Sequence, residues 1–129
     1  MKEMNYPFMT CRQLNDKIIF AEYPDNLRVD LTVAKEIVAC RMEFTGGRDH
    51  YVVIDVSNVK KVTAEAKEYM QSPEGGLKNI LGAAFLASNP VSALIANIFI
   101  KSPKEFEAKF FYNKESAIRW IEELQRKAI

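Results

Sequence analysis

Cysteine is scarce, with Cys11 and Cys40 the only two in 129 residues. That rules out the disulfide framework that staples small secreted domains, and both thiols read as small buried hydrophobes in a reducing compartment. Glycine and proline number five each, too few for a fibrous or low-complexity chain, and no repeat recurs. An excess of either charge is nearly absent: 18 basic against 17 acidic side chains leave a net +1. Without a basic excess, nucleic acid is not an expected partner, and Lys60-Lys61 is too small a footprint for one. Long apolar runs are missing as well. Leu81–Ala87 and Val91–Ile100 are separated by Asn89-Pro90, and neither reaches the about 20 residues that span a bilayer. The stretch Met1–Thr10 holds Lys2, Glu3, Asn5 and Pro7 without an apolar run, so no signal peptide is expected and the expected location is the cytoplasm.

Chemistry-bearing patterns are equally thin. His50 is the only histidine, and beside Gly46-Gly47-Arg48-Asp49 it reads as a satisfied surface residue in a loop. With no second histidine and no Cys-x-x-Cys there is no metal signature, although a carboxylate-only site stays open. No nucleophile elbow, phosphate-binding glycine loop or dinucleotide fingerprint occurs. No catalytic residue, metal or cofactor is therefore assigned, and the expectation is that the chain is not an enzyme.

What is present is a regular alternation of elements in a single domain, residues 1–129. Hydrophobic residues make up 48% of the chain, enough to build a real core. Phe8–Leu14 and Ile18–Tyr23 flank Asn15-Asp16-Lys17 and predict a hairpin. Asp30 or Thr32 caps a helix carrying Val33, Ile37, Cys40 and Phe44, widened by Ala34 and Val38 and stopped by Gly46-Gly47. Tyr51–Val56 and Ile80–Ala87 are continuously apolar, the pattern of strands covered on both faces. Between them a helix begins near Thr63 and breaks at Ser72–Gly76. Asn89 caps and Pro90 opens a third helix reaching about Lys101. Ala108–Tyr112 is a last strand. Asn113 then caps a final amphipathic helix, Lys114 to about Lys127, with Ile118, Ile121 and Leu124 inward and Glu122–Arg126 and Glu123–Lys127 paired outside. The order ββαβαβαβα predicts an α/β fold. It has a mostly parallel sheet of four to five strands, an N-terminal antiparallel hairpin and about four helices.

The segment Val52-Val53-Ile54-Asp55-Val56-Ser57-Asn58-Val59, followed by Val62-Thr63, resembles the centre of STAS domains, the sulfate-transporter and anti-sigma-factor-antagonist family. The likeness is greatest to the small stand-alone bacterial proteins called SpoIIAA-like, and the order of elements from about Phe8 to Leu124 agrees. The resemblance implies a regulatory domain acting by protein contact. In the signalling members an Asp-Ser-Ser-Gly stretch opens the second helix and one serine is phosphorylated. Here the same stretch reads Thr63-Ala64-Glu65-Ala66, so Glu65 stands at the phosphorylated position and the switch does not carry over.

Two candidate surfaces follow. Asp55, Ser57, Thr63 and Glu65 form a docking or anion-binding patch at the tip of the second helix, or else Thr63 merely caps the helix and Glu65 complements its dipole. The third helix is apolar on nearly every side, so Val91, Leu94, Ile95, Ile98 and Phe99 are either buried all round or an interface for a protein partner or a second copy. The alternative function is a small-molecule or lipid carrier, by analogy with lipid-carrying domains of the same layout, with Phe85, Phe106 and Phe110 lining an apolar cavity.

Overall fold

The two continuously apolar strands occupy the middle of the molecule. In the computed structural model, which describes residues 2–128, β5 (His50–Asp55) lies between β3 (Ile18–Glu22) and β7 (Ile80–Leu86), parallel to both. Their side chains alternate between two cores, as the period of a strand requires. Ile19, Ala21, Val52, Ala83 and Phe85 face one side, and Ile18, Phe20, Tyr51, Val53, Ala84 and Leu86 face the other. β8 (Glu107–Phe111) continues the parallel run beyond β7.

The N-terminal hairpin forms as read, β2 (Met9–Gln13) pairing antiparallel with β3. The asparagine in its turn closes the loop, Asn15 Oδ1 accepting from the amides of Lys17 and Ile18. One more strand precedes it. β1 (Glu3–Tyr6) pairs antiparallel with β2, giving six strands in the order β1-β2-β3-β5-β7-β8 rather than four or five. Arg12 holds this edge to its neighbours, its guanidinium contacting Glu3 at 2.9 Å and Glu22 at 2.8 Å. A separate two-stranded parallel sheet joins β4 (Leu27–Val29) to β6 (Val59–Val62), segments read as connections from sequence.

Helix α1 (Leu31–Thr45) is capped by Asp30, whose carboxylate accepts from the Val33 amide. It ends at Gly46 in the left-handed conformation at φ 66°, where glycine carries no Cβ penalty. α2 (Ala64–Met70), α3 (Pro90–Lys101) and α4 (Lys114–Lys127) are capped by Thr63, Asn89 and Asn113, as their side chains predict. α1, α2 and α3 cover one face of the sheet and α4 covers the other through Ala117 and Ile121. On α4, Ile118 and Leu124 are half-buried against that second core, and the ion pair that forms is Arg126–Glu123, at 3.7 Å. Every crossover from β3 to β8 advances in the same direction, so right-handed connections put their three helices on one side.

The sequence reading of His50 is corrected. His50 is not a surface loop residue; it opens β5 and is 2% exposed, because pairing with β7 starts one residue before the apolar run. Arg41, inside the apolar stripe of α1, is 4% exposed. Its guanidinium is drawn inward by two backbone carbonyls, Gly76 at 3.0 Å and Lys78 at 2.9 Å. Cys11 is buried as expected, while Cys40 is only half-buried, and neither forms a disulfide.

Candidate functional site

Asp55 and Ser57 come together at the carboxyl end of β5. The Asp55 carboxylate accepts from the Ser57 amide at 3.0 Å, an Asx turn set by the two-residue spacing. That bond engages the backbone of Ser57, not its hydroxyl. The Ser57 carbonyl accepts from Asn89 Nδ2 at 2.8 Å. Asn89 in turn forms a reciprocal capping box with Ser92. The loop after β5 is thereby fastened to the start of α3, and Ser57, Lys60, Asn89 and Val91 line one shared surface depression.

Thr63 and Glu65 lie elsewhere. The four residues of β6 stand between Ser57 and Thr63, a span of about 13 Å at strand rise. Thr63 Oγ1 accepts from the Ala66 amide at 3.2 Å, so its hydroxyl caps α2. Its own amide is donated to the Val29 carbonyl at the end of the small sheet. Glu65 is exposed in the first turn of α2, where a negative charge meets the positive helix end. The four candidates therefore fall into two pairs at opposite ends of β6.

The apolar helix divides by face. Ile95 is buried, and Phe99 stacks on Phe85 with ring centroids 6.2 Å apart. On the outer side Val91, Leu94 and Ile98 are 47%, 68% and 40% exposed. From Pro90 to Ile100 no residue is charged, so nothing on the helix itself screens that row.

Beneath α3 lies a cavity of about 70 Å³, walled by Ala21, Val52, Ala83, Phe85, Phe99 and Phe106. Phe85 and Phe106 stand where the carrier reading put them; Phe99 takes the place given to Phe110. Its charged wall residues are Arg41 and Lys104, and no Asp or Glu lines it. Arg41 Nε is buried without a partner. Burial pushes the Arg41 guanidinium below its ordinary pKa, though guanidinium stays charged. Lys104 Nζ donates to the Ile100 carbonyl at 2.7 Å and to that of Ser102, and burial lowers its pKa too. The Tyr23 phenol on the same wall is pushed up, mainly by burial.

Neither Arg41 nor Lys104 was singled out from sequence. The signal for Arg41 is its position on the inward stripe, four residues after Ile37. His50 sits apart, its Nδ1–H donating to the Arg48 carbonyl at 2.8 Å while Nε2 has no partner. Burial pushes its pKa down to about 4. Among the described residues no three His, Cys, Asp or Glu side chains gather as a metal site, and no helix is long and apolar enough to cross a membrane.

The architecture is similar to that of a solved protein, a crystal structure of an uncharacterized protein from the DUF3478 family with a SpoIIAA-like fold, from Shewanella loihica PV-4. The TM-score is 0.62 at 13% sequence identity, covering 88% of this chain and 91% of the other. At that identity the likeness concerns the fold, which is SpoIIAA-like here as the Val52–Thr63 segment implied. No curated protein matches the sequence. Residues 12–125 match the family described as a domain of unknown function, DUF7793, and the chain belongs to that family.

Proposed function

We propose that this chain is a non-catalytic regulatory domain that acts by protein–protein contact. It docks an apolar surface of its partner on the outer face of α3. The observation that carries the reading is the row Val91, Leu94 and Ile98, exposed at i, i+3 and i+7 on a helix without charge from Pro90 to Ile100. Scattered exposed hydrophobics are ordinary, but a continuous row on one helix face favours an apolar partner over solvent. Ile95 and Phe99 anchor the helix from behind, and Asn89 fixes its start to the Ser57 loop.

The tip of α2 is the regulatory element in this reading. Glu65 holds a fixed negative charge where the resembling signalling domains take a phosphate, so the domain stays permanently in the modified-like state. The absence of an enzyme role is part of the proposal, supported by the engagement of Asp55 with the Ser57 amide. The lipid-carrier alternative has less support, because a cavity of about 70 Å³ is half the ~150 Å³ that accepts a benzene molecule and leaves no room for an acyl chain.

A photo-crosslinking residue placed at Leu94 in living source cells tests the docking. A discrete adduct is expected, and its identified partner, purified, should bind wild-type chain and lose that binding with Leu94→Glu. An adduct with a second copy makes the partner the chain itself, and sedimentation then shows a dimer that Leu94→Glu dissolves. No adduct at Leu94, or unchanged binding to Leu94→Glu, overturns the proposal. Glu65→Ser in the same binding assay tests the regulatory charge, with weakened binding expected.

A further inference from the structure

We propose that the cavity under α3 binds a two-carbon monocarboxylate, its carboxylate held by the Arg41 guanidinium and its methyl packed against Phe85 and Phe106. This goes beyond protein docking and does not depend on it.

The first argument is charge. Of the residues walling the cavity, the charged ones are Arg41 and Lys104, both positive, and no acidic side chain faces them. A buried guanidinium is ordinarily matched by a carboxylate, since carbonyl dipoles alone offset its desolvation incompletely. Arg41 spends two of its five N–H donors on the Gly76 and Lys78 carbonyls, and its Nε–H has no partner. A carboxylate oxygen is the acceptor that matches this donor.

The second argument is shape. About 70 Å³, against the ~150 Å³ that takes benzene, holds about three or four non-hydrogen atoms. A carboxylate with one methyl fits that volume. Phosphate does not suit the site, because its further oxygens would face Val52, Ala83 and the phenylalanines with no donor. A planar anion with an apolar back uses both halves of the wall, the cationic edge and the aromatic lining.

The third argument is access. Leu77, Ile80, Lys104 and Phe106 wall the cavity on one side and an open surface depression on the other. Leu77, Ile80, Lys104 and Phe106 are all only half-buried, so this is the thin side of the site. The Lys104 ammonium lies there and attracts an anion toward Arg41.

Thermal unfolding and amide NMR of the full chain in sodium acetate, acetamide and sodium chloride at matched ionic strength decide the matter. Acetate is expected to raise Tm saturably and to shift the amides of Gly76 and Leu77, while chloride and the uncharged isostere acetamide do neither. Arg41→Lys keeps a cation that can still donate to the turn carbonyls, yet it should weaken acetate at least tenfold by removing the Nε–H donor. Lys104→Gln should weaken it about fivefold, the value of one partly screened charge. Ala83→Val fills the space without touching a charge and should abolish binding. Equal responses to acetate and acetamide, or wild-type affinity in both Arg41→Lys and Ala83→Val, overturn the proposal. So does the lack of any saturable response at about 100 mM acetate, ~100 times the millimolar Kd expected of so small an anion.

Discussion

The buried histidine makes folding stability depend on pH, and the size of the effect follows from its surroundings. In the unfolded chain the imidazole titrates near the ordinary 6.5; in the native protein burial pushes it down to about 4. Above 6.5 it is neutral in both states and contributes no pH dependence. As pH falls from 6.5 toward 4 the unfolded chain takes up a proton that the native chain refuses, so stability is lost. Below about 4 both states bind the proton and the loss levels off. At ~1.36 kcal/mol per pH unit, the whole interval is worth about 3 kcal/mol, a large share of the 5–15 kcal/mol that ordinarily holds a domain together. Urea unfolding from neutral pH down to about 4, comparing wild type with His50→Asn, isolates the term, since most carboxylate titrations are common to both proteins. Asparagine keeps a donor for the Arg48 carbonyl but takes no proton, so the stability gap between the proteins should change by about 3 kcal/mol over that interval. Because His50 is the only histidine, its ring Cε1–H signal needs no assignment and should titrate with a midpoint of about 4. Parallel stability curves, or a midpoint at 6.5, would refute the reasoning.

Three further outcomes are expected. Gly76→Ala drives a Cβ into the Met70 backbone carbonyl, a clash that cannot be relieved by a rotamer, and chemical denaturation should show a loss of at least ~3 kcal/mol or no cooperative transition. Ile121→Ala, fully buried beneath α4, should cost about 2–5 kcal/mol by the same measurement, whereas Leu94→Ala on the exposed row should stay within about 0.5 kcal/mol. Asp30→Ala removes the acceptor for the Val33 amide and should lower stability by about 1 kcal/mol, with Asp30→Asn recovering most of it.

The elements legible in the sequence were those whose cause is local. Asp30, Thr63, Asn89 and Asn113 each carry an oxygen suited to a first-turn amide, and each caps the helix that follows it. The β-branched run of β5 announces a strand buried on both faces, and the spacing of Asp55 and Ser57 announces their turn. What escaped depends on distant partners. Glu3–Tyr6 has three exposed residues of four and no apolar face of its own; it is a strand because β2 offers an edge. β4 and β6 are three and four residues long, and pairing with each other defines them. That pairing also separates Thr63 from Ser57, which a linear reading joined in one patch. Arg41 looks like a solvated interruption of an apolar stripe until the carbonyls of Gly76 and Lys78, more than thirty residues later, give it a reason to turn inward.

The cavity and its arginine have a common origin in the winding of the sheet. Because β3, β5, β7 and β8 follow one another in a single direction, the parallel run contains no point where the strand order reverses, and so lacks the crevice where open α/β sheets usually take ligands. The unidirectional path instead crowds α1, α2 and α3 onto one face. α2 has seven residues, about 10 Å of helix, against about 20 Å for the six-residue β5 from which its crossover starts. The uncovered length is filled by the turns between Gln71 and Asn79, and their carbonyls need donors once buried. Arg41 supplies two. A turn packs less tightly on a sheet than a helix does, and the space left over is the cavity that Gly76, Leu77 and Met70 help to wall. Lengthening α2 by one turn, with the Gly75-Gly76 turn removed, should therefore close the cavity and leave Arg41 without its acceptors; a shortened helix here and a buried cation beside it are one structural decision.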